Sequence, residues 1–182
     1  MTFLETIEHF QIIPNIHPIF VHFTVALVSI AFILHCLAYL GSYRTAIKDA
    51  SWLKEIAVTG RWCLWLAMLF VVLTVLAGLQ AYFTVLHNEA GHEAMQIHRN
   101  AALISLVFIL LTGSVSIKRF IKRQSISLAF MILFGLTQLS VLTTAYLGAE
   151  VVFRYGVGVI AAQTPDMMVG HHHHDMSDMQ GM

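Results

Sequence analysis

The sequence predicts an all-α membrane protein, an up-down bundle of four transmembrane helices with both termini on the outer side. Three observations lead there. Of 182 residues, 58% are hydrophobic and only 11% are charged, whereas soluble domains carry about 25% charged residues. The apolar residues collect into four stretches, of about the 20 residues that a helix needs to cross a bilayer. Eight of the ten basic residues fall in two of the connections between those stretches. The same figures exclude other classes. Ten acidic residues cancel the ten basic ones, which leaves no basic face for nucleic acid. Two cysteines and three prolines are too few for a disulfide scaffold or a Pro-rich linker.

The first stretch runs from Pro18 to Leu40. It is too long for a signal-peptide core, and Glu5 and Glu8 precede it in place of a basic region, so it reads as a retained span. The second runs from Trp62 to Leu86, the third from Ala101 to Ile117 and the fourth from Ser125 to Leu147. The third is short and is expected to reach back to His98 or beyond. None of the four contains Asp, Glu, Lys or Arg. Backbone polar groups in lipid must bond internally, which makes each stretch a helix. Arg44, Lys48, Lys54, Arg61, Lys118, Arg119, Lys122 and Arg123 lie in the first and third connections, and the positive-inside rule assigns both to the cytoplasm. The termini and the loop from His87 to Asn100 then face the other side. Short connections favour antiparallel neighbours. No internal repeat of fixed period is visible. Residues 1–160 form one transmembrane domain, and 161–182 read as a flexible His/Met-rich tail.

That topology gathers His17, His22, His87, His92 and His98 near the outer membrane face, where ionisable groups at membrane depth point to a functional site. His22 lies about 6 Å inside the first span at 1.5 Å per residue, and His98 opens the third. Two imidazoles at matched depth on facing helices can supply both axial ligands of a haem iron. Ala77, Gly78 and Ala101 offer room, and Arg99 and Arg154 are the basic residues available to haem propionates. The competing reading is that these histidines only hydrogen-bond at the headgroup level. His35 lies about 20 Å further along the first helix than His22, with no second histidine at its depth, and reads as a hydrogen-bonded helix residue. Cys36 and Cys63 read as packing residues. A zincin motif is absent, because His98 follows His92 by six residues rather than four.

The tail holds His171, His172, His173 and His174, followed by Met176, Met179 and Met182. Imidazoles with thioethers suit borderline or soft ions, copper foremost. A purification tag is the alternative, although eight further residues follow the histidines.

The segment from His17 to Phe23, HPIFVHF, resembles the "HPxxVHF" opening of the domain-of-unknown-function family numbered 2231, four-helix bacterial membrane proteins. Gly148 to Gly158, GAEVVFRYGVG, resembles that family's closing "GGELVYRHGVGV", and the likeness covers about residues 14–160. Thr24, Ala149 and Tyr155 stand where the family commonly has proline, glycine and histidine. The resemblance implies a small module of the bacterial inner membrane, which makes the outer side with the termini the periplasm, and some of its relatives occur with redox domains such as Rieske proteins.

Three functions follow as expectations. The first is a membrane b-type cytochrome-like electron carrier, rather than a stand-alone enzyme, holding one haem b between His22 and His98 with Arg99 and Arg154 at its propionates. It would exchange electrons with a membrane or periplasmic redox partner or a larger complex. The second is metal handling, with copper passing from His171–His174, Met176 and Met179 to His17, His22, His87, His92 and His98. The third is a haem-free accessory subunit anchored by Trp62, Trp65 and small-residue helix faces.

Overall fold

The computed structural model describes residues 16–45, 50–85 and 87–158. They form four helices, α1 (His17–Ser42), α2 (Ser51–Thr84), α3 (Glu89–Ile121) and α4 (Leu128–Phe153), each long and apolar enough to cross a membrane. No strand occurs among the described residues. Successive helices run antiparallel. The most extensive packing is within the hairpins α1–α2 and α3–α4, and the α2–α3 and α1–α4 contacts close the ring. The helices α1 and α3 therefore face each other diagonally across the bundle.

Large apolar side chains cover the outside of the bundle, as lipid as solvent requires. Leu40, Leu69 and Leu139 are 62%, 57% and 63% exposed, while Ala31, Ala67, Thr112 and Thr137 are completely buried. Small residues on the inward faces let helices pack closely, which drives association where lipid removes the hydrophobic incentive. Gly113 makes room in this way for the Met68 side chain of α2, which a β-carbon there would overlap.

One helix start differs from expectation. The helix α2 begins at Ser51 instead of near Trp62, with no side-chain cap. The helix α3 reaches beyond His98 to Glu89, and its start is capped. The Asn88 side chain accepts from the Gly91 N–H at 2.8 Å, and Glu89 stands in the first turn, where a negative charge suits the helix dipole. His92, expected in a loop, is consequently helical. Two turns end helices. Arg123 adopts φ 51°, with Gln124 N–H on Arg119 O at 2.9 Å and Arg123 N–H on Phe120 O at 3.1 Å, a Schellman arrangement. Gly156 at φ 64° folds Val157 back over the start of α3, where Val157 Cγ2 would lie 2.9 Å from a β-carbon at Gly91.

The two hairpins are built alike. Moving 81 positions takes buried Thr24, Val28, Ala31 and His35 of α1 to buried Ser105, Ile109, Thr112 and Ser116 of α3. Moving 70 positions takes buried Gly60, Leu64, Ala67, Val71 and Ala81 of α2 to buried Phe130, Phe134, Thr137, Val141 and Val151 of α4. The shifts differ because the first hairpin is longer, which hides the repeat from any search for one fixed period.

Candidate functional site

The inward stripe of α1 carries Thr24, Val28, Ala31, His35 and Ala38. Extended back by seven residues, two helical turns, it meets His17. His22 lies five residues beyond His17, a rotation of about 140° at 100° per residue. Only one of the two can face the bundle interior. His17 does, half-buried, while His22 is exposed and donates its Nδ1 hydrogen to the Pro18 carbonyl at 2.5 Å. The expected facing of His22 and His98 is therefore not formed. His98 faces His17 instead, with ring centroids 6.3 Å apart and ring planes at 73°.

Both imidazoles sit in matching surroundings. His17 Nδ1 donates to the Thr74 carbonyl of α2 at 3.0 Å, and His98 Nδ1 donates to the Thr144 carbonyl of α4 at 3.2 Å. Four residues on, Gly78 and Gly148 lie against the rings. A β-carbon at either would come within 2.9 Å of the facing imidazole Cε1, so glycine makes the space for each ring. The threonine hydroxyls bond back to the helices that carry the histidines, Thr74 to Thr24 at 2.7 Å and Thr144 to Ser105 at 2.9 Å. The spacing of histidine to hydroxyl is seven residues in both hairpins. That shared spacing was the signal by which the sequence could have shown His17 as the partner of His98.

The five outer histidines do not form one cluster. His87 and His92 make a separate pair, Nε2 to Nδ1 at 2.9 Å with rings stacked 5.1 Å apart. His92 Nε2 also lies 2.9 Å from the Gln96 amide nitrogen. Among the described residues, no group of three or more His, Cys, Asp or Glu is placed to hold a metal ion. The anticipated handover cluster is thus absent from the described residues. His171, His172, His173, His174, Met176 and Met179 lie outside them. Of the candidate propionate partners, exposed Arg154 pairs with Glu150 at 2.7 Å, which raises its pKa above the ordinary guanidinium value. Arg99 has its guanidinium 5.0 Å above the Tyr82 ring and reaches Asn100 Oδ1 at 3.3 Å. Among the described residues it has no carboxylate partner.

Donating Nδ1–H to a carbonyl sets the tautomer and puts the basic lone pair on Nε2, the way metal-bound histidines are held. Two imidazoles sharing one metal through Nε2 at about 2.0–2.1 Å would have ring centres roughly 6 Å apart, near the separation found. A bare ion asks for three or four protein ligands; a haem supplies its own equatorial nitrogens and asks for two. The donor set therefore fits haem better than it fits a copper or zinc ion. Residues 13–161 match the family described as "Predicted membrane protein (DUF2231)", and the chain belongs to that family. No curated protein matches the chain, and no solved structure does.

Proposed function

We propose that this membrane protein is a b-type haem electron carrier in which His17 and His98 are the two axial ligands. The observation that carries this reading is the matched pair itself, two imidazoles 6.3 Å apart with each Nδ1 committed to a backbone carbonyl. A bound haem b supplies one-electron oxidation and reduction at its iron. The protein's part is positional. The Thr74 and Thr144 carbonyls orient the rings, and Gly78 and Gly148 leave the rings their space. Arg99 is the cation available to a propionate, whereas Arg154 would first have to exchange Glu150. The charge distribution supports a multi-pass inner-membrane protein with the histidine end towards the periplasm. Electrons would pass there between a membrane partner and an outside acceptor.

The test is a reduced-minus-oxidised spectrum of the full chain purified from haem-replete cells. An α-band is expected in the wild type and in His22→Ala, and none in His17→Ala or His98→Ala. His98→Met, which keeps a ligand, should move the band without abolishing it. No band in the wild type, or a band surviving both alanine changes, overturns the proposal. Purification as a fixed-stoichiometry subunit without a chromophore would favour the accessory role instead.

A further inference from the structure

The opposite end of the bundle holds a cavity of about 240 Å³ where all four helices contribute walls. His35, Arg61, Ser116, Arg119, Gln124 and Ser125 supply its polar lining. Two guanidinium groups face this space, and among the described residues no Asp or Glu lines it. A second cavity of about 400 Å³ shares Ala57, Ser125 and Ile126 with it and continues past Lys54 and Tyr43.

Arg61 is held between two rings. Its guanidinium carbon lies 4.3 Å from the Phe120 ring centre and 5.5 Å from that of Trp65, the two ring planes standing 75° apart. The side chain lines the cavity, and its buried Nε is without a hydrogen-bond partner among the described residues. A buried N–H left unpaired is unfavourable, and guanidinium edges match phosphate oxygens with two parallel N–H bonds. Arg119 is steadied by donating to the Ser125 carbonyl, and Gln124 and Ser125 add neutral polar groups at the rim. His35 is 4% exposed and donates Nδ1–H to the Ala31 carbonyl at 2.7 Å, giving the cavity a fixed inner wall.

We infer that this cavity binds a phosphate group, with Arg61 and Arg119 as its two cationic contacts. The group's carrier is an anionic lipid headgroup or a free phosphate. Both share the recognising chemistry, and the second cavity leaves room for what the phosphate is attached to. The site stands apart from the histidine pair and does not depend on haem.

The test uses the full chain in nanodiscs of phosphatidylcholine. One arm titrates inorganic phosphate by calorimetry, and the other weighs retained phosphatidylglycerol by native mass spectrometry. Binding of about one phosphate-bearing ligand per chain in either arm is expected, and the arm that responds names the source. Arg61→Gln and Arg119→Gln should each weaken it at least about tenfold, or 1.4 kcal/mol, and Lys122→Gln, outside the cavity lining, should not. Ala57→Leu narrows the passage with every charge intact and should also weaken binding, which keeps the inference testable if an arginine variant fails to fold. Absence of binding in both arms overturns it. So does binding that survives Arg61→Gln and Arg119→Gln, or an equal loss in Lys122→Gln, which would mark diffuse charge attraction.

Discussion

The hairpins α1–α2 and α3–α4 agree at the histidine end and part at the arginine end. At the histidine end each carries an imidazole, a hydroxyl seven residues on, a threonine carbonyl and a glycine, in the same geometry. At the other end His35 corresponds to Ser116 and Gly60 to Phe130. The His35 ring fills the room that Gly60 leaves, with Gly60's missing β-carbon 2.9 Å from its Nδ1. In the second hairpin Phe130 supplies the bulk instead, and it lies 5.6 Å from the His35 ring. The difference separates two kinds of constraint. Volume can be exchanged between partners, large against small, without harm to packing. His35, whose Nδ1 bonds a carbonyl of its own helix, gives way to Ser116, whereas the imidazoles aimed by a carbonyl of the neighbouring helix stand in both hairpins.

The sharpest way to break this comparison is to crowd each ring from its own glycine. Gly78→Val and Gly148→Val should each lower haem occupancy at least about tenfold, near 1.4 kcal/mol, and to similar extents. Gly135→Ala, where nothing lies within 4 Å of a β-carbon, should change nothing. Absorbance per mole of protein measures all three, and a loss confined to one hairpin would end the equivalence. A smaller effect is expected in the middle of the bundle, where the bonded hydroxyls of Thr112 and Thr137 (2.7 Å apart) stand where the first hairpin has Ala31 and Ala67. Thr112→Ala should cost about 0.6–1.5 kcal/mol in detergent unfolding. Thr137 keeps its bond to the Leu133 carbonyl at 2.9 Å, so no buried hydroxyl is orphaned. A cost of several kcal/mol would show the hydroxyl pair to be a fixed requirement rather than an exchangeable layer. The smallest effect concerns the α3–α4 turn. Arg123→Gly should stabilise by about 0.5–1 kcal/mol, since φ 51° suits glycine better than arginine. An unchanged unfolding midpoint would show that the arginine's own contacts offset the strain.

The helix count and the membrane class were legible because lipid imposes long apolar runs. Helix ends were not, since Ser51 to Arg61 and Glu89 to Asn100 lie outside the long apolar runs yet are helical, and hydropathy does not register where helical hydrogen bonding stops. The gathering of histidines from α1 and α3 at one end of the bundle was also legible. Depth alone favours His22, but helical phase decides which residue faces inward. His17 lies two turns from Thr24 on the buried stripe, and His22 does not. The repeat escaped notice because the bonded pairs His17–Thr74 and His98–Thr144 are 57 and 46 residues apart. The arginine cavity had no sequence signal, since α3, α4 and their connecting turn must fold before Gln124 and Ser125 meet Arg61.

The unequal spans of the two hairpins bear on how the molecule meets its surroundings. The eleven additional residues between His17 and Thr74 all fall on the arginine side of the histidine layer. On that side Tyr43, Leu53, Lys54 and Ala57 of the first hairpin line the second cavity. At the histidine end α1 starts at His17 itself, whereas α3 starts nine residues ahead of His98. A partner approaching the paired rings would therefore meet unlike contours from the two hairpins.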